Sequence, residues 1–128
     1  MKKTVFSYGE KDGKRYPFID ITFIDRKNPL TVKALVDSGA SFSVFRPEIA
    51  EFLEVPIERG NALYLEGIGG RILGYLHTLS VSVGRKHFQC KIVFSRELRV
   101  SLNLLGRDNF FQQFLITFDE RNKKVSLS

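Results

Sequence analysis

The apolar and polar positions of this chain fall into many short segments, most with the two-residue period of a half-buried strand. Phe18 to Asp25 is the clearest: Ile19, Ile21 and Phe23 share one face, Asp20 and Thr22 the other. Asp20 and Asp25 are therefore expected in solvent rather than in a catalytic role. A turn at Arg26-Lys27-Asn28-Pro29 leads to a strand from Leu30 that is continuously apolar over Ala34 to Val36, as in a strand buried on both faces. Ala62 to Glu66 and Arg71 to Val83 predict two further strands joined by Gly67-Ile68-Gly69-Gly70. After a turn at Gly84 to Lys86, the series Phe88, Cys90, Ile92 and Phe94 marks a returning strand. Leu102 to Gly106 reads as a second apolar strand, and Phe114, Ile116 and Phe118 as another. Val125 and Leu127 close the chain in a terminal strand.

Helical signals are brief. Pro47 to Leu53 places proline at a first helical position, with Glu48 and Glu51 near the positive end and Ile49 and Leu53 one turn apart. Asp108 is expected to cap a second short helix through Gln113. Residues 1–17 read as a short strand followed by a loop or hairpin, and residues 95–101 as a polar loop. The pattern predicts a mainly β fold with two short helices and no internal repeat.

Composition narrows this picture. The 128 residues are expected to form one domain, 1–128, with a core of its own, and twelve Phe with no Trp predict a Phe-rich one. A hydrophobic share of 43% against 27% charged residues excludes a disordered chain. The formal charge is +6, from 20 basic and 14 acidic residues, but the basic residues are dispersed, which argues against nucleic-acid binding. A single Cys excludes an intrachain disulfide. No long apolar run follows the basic start Met1-Lys2-Lys3, so no signal peptide or membrane contact is expected, and a cytoplasmic location follows.

Candidate chemistry concentrates on Asp37. An ionisable side chain directly after a buried apolar run is costly unless it has a partner or a task. Ser38 can bond the local backbone, and Gly39 permits a close backbone approach. Two readings stand at this point: an Asx-type turn that ends a strand, or a carboxylate placed for catalysis. The glycine-rich stretch 67–70 is likewise either an ordinary hairpin turn or a mobile cover with one apolar residue, Ile68, at its tip. A phosphate cradle is disfavoured because no helix follows the glycines. Cys90 sits in the apolar series and reads as a core residue. His77, His87 and Cys90 match no common zinc spacing and lack a fourth ligand, so neither metal nor cofactor is expected.

Three elements, taken in order, resemble the retropepsin-like family of aspartic proteases, which includes the retroviral proteases. These are the apolar strand entering Asp37-Ser38-Gly39-Ala40, the flap-like hairpin with Gly67-Ile68-Gly69-Gly70, and Asn103-Leu104-Leu105-Gly106-Arg107-Asp108 near the end. The resemblance spans roughly residues 18–119. It implies a closed β-barrel with a flap hairpin, and an aspartic endopeptidase that needs no cofactor. Because the chain offers a single such Asp, it also implies a homodimer that pairs two Asp37 carboxylates on its axis and hydrolyses an extended peptide or unfolded protein. In that scheme Ser38 bonds across the axis, Gly39 and Ala40 shape the active-site loop, and Gly67, Ile68, Gly69 and Gly70 close over substrate. Gly106 packs beneath the loop, while Leu104 and Leu105 line or support apolar subsites.

One departure stands out. Many retroviral members carry an acidic residue after Asp-Ser/Thr-Gly-Ala that pairs with the Arg of the late motif. Here that position is Ser41, so Arg107 is expected to find another partner. Retroviral members also build much of their dimer interface from the terminal strands, which the match does not specify. The competing readings are a non-catalytic dimerisation or peptide-binding module on the same fold, and a basic nucleic-acid-binding β domain.

Overall fold

The computed structural model describes residues 2–24, 27–67 and 70–128. The chain begins with strands Thr4–Ser7 (β1), Gly9–Lys11 (β2), Lys14–Tyr16 (β3), Phe18–Phe23 (β4), Leu30–Val36 (β5) and Ser43–Phe45 (β6). The helix Pro47–Phe52 (α1) follows, then Asn61–Gly67 (β7), Gly70–Val83 (β8) and Lys86–Phe94 (β9). Leu104–Leu105 (β10), Ile116–Asp119 (β11) and Lys124–Leu127 (β12) complete the strands, with 3-10 turns at Ile57–Arg59 and Phe111–Gln113.

The alternation in β4 is realised in its burial. Ile19, Ile21 and Phe23 are wholly buried, while Asp20 is exposed and its carboxylate accepts a 2.7 Å bond from Lys33 on β5. Seven strands form one sheet in the order β4-β5-β10-β6-β9-β8-β7, and β4 also pairs with β8 at Thr22–Ser82 and Phe23–Val81. That extra pairing closes the sheet into a ring and leaves β7 outside it, attached to β8 alone. The ring therefore hides its edges, whereas the β7–β8 hairpin projects from it. A second sheet, β1-β12-β11, joins the first and last segments of the chain.

The core is phenylalanine-rich. Phe23 meets Phe45 edge-on at 5.7 Å inside the ring, and Phe94 and Phe110 are also fully buried. Phe110, Phe88 and Phe114 form a second aromatic group beside β9. Cys90 is completely enclosed, and burial pushes its thiol up to about 12. Helix α1 buries Ala50 and is followed by buried Leu53, with Ile49 only half covered.

Two predicted elements differ from the observed ones. The apolar strand expected over Leu102 to Gly106 is reduced to Leu104–Leu105, because beyond it the backbone leaves the ladder: Gly106 N–H turns to the buried Ser43 Oγ at 3.0 Å. Asp108 caps no helix. The turn Phe111–Gln113 starts from Phe110 without a side-chain cap, and the Asp108 carboxylate lies 3.6 Å from Lys91 Nζ instead. Its neighbour Asn109 takes up that region's polar bonding, accepting from Lys91 N–H at 2.8 Å and donating to Gln89 O at 3.0 Å. The expectation for Asp25 lies outside the described residues.

Candidate active site

Strand β5 delivers Asp37 at its end, and a second strand crossing beside it holds it there. β10 runs parallel to β5, pairing Leu104 with Leu35 and Leu105 with Val36. Asp37 N–H donates to Leu105 O at 2.9 Å, continuing this ladder into the loop. The loop then turns on itself, with Ala40 N–H donating to Asp37 O at 3.1 Å and Gly39 N–H to Asp37 Oδ1 at 3.0 Å. The bond from Gly39 fixes the position of one carboxylate oxygen. It is the only hydrogen bond to this carboxylate among the described residues. Asp37 is half-buried, and Ser38 and Gly39 are exposed at the turn.

The far side of the loop is locked to the chain after β10. Arg107 N–H donates to Ala40 O and Asp108 N–H to Ser41 O, both at 2.9 Å. Gly106 lies directly beneath. A Cβ there would meet the Phe42 carbonyl and come within 2.9 Å of Ala40 O, so only glycine lets the two backbones pass. Asn103 adds a cross-tie, its side chain accepting from Arg46 N–H at 3.0 Å and donating to Lys33 O at 3.1 Å. Neither Ser43 nor Asn103 was assigned a role from sequence. A serine inside the apolar stretch that becomes β6 was the available signal, since a buried hydroxyl is kept where it satisfies a backbone group.

A cleft of about 550 Å³ opens between this loop and the β7–β8 hairpin. Gly39, Ala40 and Ser41 border it on one side, and Gly67 and Gly70 on the other. Asp37 itself does not line it; its carboxylate meets the cleft through Gly39. Leu104 lines the cleft, whereas Leu105 is wholly buried and supports it from the core. Ile68 and Gly69, the expected flap tip, lie outside the described residues. Val44, Leu65 and Ile72 add apolar wall, and the Arg71 guanidinium stacks over the Tyr64 ring at 4.1 Å.

The loop 95–101 is more than the polar connection its composition indicated. Leu98 and Val100 face the cleft, and Glu97 clasps the base of the hairpin. Its Oε1 accepts from Leu73 N–H at 3.0 Å, while Ser95 Oγ donates to Leu73 O at 2.6 Å. Apolar residues two apart within a polar run were the signal that marked this wall. The histidines lie elsewhere: His77 Nε2 donates to Ile57 O at 2.9 Å, within the fold.

The other partner expected for Arg107 is not found among the described residues. Its side chain is exposed and has neither a hydrogen bond nor an ion pair among the described residues, so main-chain bonds alone join the late motif to the active-site loop.

Comparison with known proteins fits this geometry. The family model described as aspartyl protease matches residues 23–109, which runs from the end of β4 through the loop, the hairpin and Gly106. The chain belongs to the aspartyl protease family. Over 84 residues it is 33% identical to DNA damage-inducible protein 1 of Neurospora crassa, a match covering 63% of this chain and 19% of that protein. The chain thus corresponds to about a fifth of that longer relative. In structure it is similar to a retropepsin-like aspartic protease from Rickettsia conorii, with a TM-score of 0.68, 19% identity, and coverage of 98% of this chain and 89% of that one. The fold is retropepsin-like. No helix among the described residues is long and apolar enough to cross a membrane.

Proposed function

We propose that this retropepsin-like chain is an aspartic endopeptidase whose active site is completed by a second copy of itself. The observation that carries the reading is a single Asp37, held by main-chain bonds and joined through Gly39 to a partly apolar cleft that a glycine-rich hairpin borders. One carboxylate cannot both take a proton from water and give one to the departing amine in the same step. Two carboxylates on a two-fold axis can. Like charges so close repel, and one proton shared between the two carboxylates relieves that repulsion.

The ionised carboxylate then accepts a proton from the bridging water as its oxygen attacks the scissile carbonyl. The protonated one donates to the oxyanion that forms, and the proton gained from water passes to the leaving nitrogen. Extended peptide is the substrate this cleft suits: the exposed backbone of Gly67 and Gly70 offers main-chain bonding, and Leu104, Val44 and Ile72 receive side chains. Strand β12 is paired on both edges within its own chain, to β1 and to β11, so it is not free to join a partner's ladder. Association therefore falls to the Asp37 loop and the edges that β1 and β11 leave open.

Asp37→Asn tests the assignment. It is expected to abolish cleavage of unstructured peptides while leaving thermal unfolding and dimerisation close to wild type. Undiminished cleavage by this variant removes the proteolytic reading. Tight peptide binding without cleavage by the wild-type protein leaves a peptide-binding module on the same fold.

A further inference from the structure

The guanidinium of Arg107 is exposed, and the fold gives it no partner among the described residues, although its main chain is pinned to Ala40. The neighbouring charges do not occupy it. The Asp108 carboxylate faces Lys91 Nζ at 3.6 Å, and the two roughly offset each other. A crevice of about 330 Å³ lies here, lined by Ser41, Arg107, Asp108, Phe111 and Gln112. Ser41 also lines the main cleft, so the crevice adjoins at Ser41 the groove that peptide would follow.

An unpaired guanidinium offers a planar fork of donors that matches a carboxylate, and the Ser41 hydroxyl adds another donor beside it. We propose that Arg107 is a specificity-determining residue: the preferred substrate carries an acidic side chain at the position lying over Ser41, and Arg107 receives it. This deepens the endopeptidase reading and rests on it. The apolar wall around Leu104 and Val44 selects one side chain, and the charge in the crevice beside Ser41 selects a second. Because Arg107 is solvent-exposed, the preference is expected to be modest, roughly threefold to tenfold, and to shrink as salt is raised.

The test is digestion of a randomised, unstructured peptide library, with products sequenced by mass spectrometry. Wild type is expected to enrich Asp and Glu over Asn and Gln at one flanking position, and to deplete Lys and Arg there. Arg107→Gln is expected to lose that enrichment. Ser41→Asp is expected to lose it too, because the new carboxylate engages the guanidinium from within the chain; this second variant decides the matter if the first does not fold. Cleavage with no acidic preference at any position overturns the proposal and leaves the endopeptidase reading standing, as does a preference that survives both substitutions. Absence of cleavage of the whole library removes the endopeptidase reading and the proposal with it.

Discussion

The two sides of the cleft are built in opposite ways. On one side, the Asp37 loop is fastened to the segment after β10 by Asp37–Leu105, Arg107–Ala40 and Asp108–Ser41 main-chain bonds, with the buried Ser43 hydroxyl holding Gly106 from below. On the other, the outer part of the β7–β8 hairpin has its own ladder and little else, and its residues from Tyr64 outward are mostly exposed. Its side-chain ties to the rest of the fold lie further in, where Ser95 and Glu97 grip Leu73. The proposed endopeptidase needs both: fixed geometry for a carboxylate that meets a reacting atom, and freedom to open for a cover that admits a peptide. Local stability follows the same division, highest where buried backbone bonds converge and lowest where exposed ladders stand alone.

Substitutions on the two sides should therefore differ in kind. Gly106→Val forces a side chain against the Phe42 carbonyl, and is expected to cost about 3 kcal/mol or more in urea unfolding. A variant of wild-type stability shows that the loop is not seated on this glycine. Ser43→Ala leaves the buried Gly106 N–H without its acceptor and is expected to cost about 1–3 kcal/mol by the same measurement. Tyr64→Ala on the hairpin, where the ring is 59% exposed, is expected to change stability by less than about 0.5 kcal/mol while raising KM for peptide. If Tyr64→Ala unfolds the protein as readily as Ser43→Ala, the contrast between the two sides is wrong.

The smallest expected effect is electrostatic. Arg96, in the loop below the hairpin, hydrogen-bonds Glu58 at 2.8 Å and Glu51 at 3.3 Å. The bond from Arg96 holds the Glu58 carboxyl below its ordinary 4.5, so the stabilisation is present above that value and is lost as pH falls through the lowered one. Both side chains are about half accessible to water, which screens the pair, so Arg96→Gln is expected to lower Tm only slightly at neutral pH, with the difference shrinking as Glu58 is protonated. A Tm difference that persists unchanged into acid would assign the effect to packing of the Arg96 stem instead.

Much of this was legible in the chain because period-two alternation reports burial directly. Ile19, Ile21 and Phe23, the series ending at Phe94, and Val125 with Leu127 all face the core as their spacing required. The ordered motifs at Asp37, Gly67 and Gly106 marked the loop, the hairpin and the crossing strand. What sequence could not supply was interaction at a distance. Nothing local to Asn103 signals that its side chain ties Lys33 to Arg46, and nothing local to Ser43 signals that its hydroxyl faces Gly106. The short β10 and the uncapped turn at Phe111 were misjudged for the same reason. Propensity favoured a longer strand and a capped helix, but the backbone beyond Leu105 is committed to the Asp37 loop.

The pairing of two Asp37 carboxylates can be tested directly by mixing subunits. Wild-type chain is combined with increasing proportions of Asp37→Asn chain at constant total concentration, allowed to exchange, and assayed for peptide cleavage. If each active site takes one acid from each subunit, activity falls as the square of the wild-type fraction. A fall in simple proportion to that fraction would show that each chain works alone and would contradict the shared site.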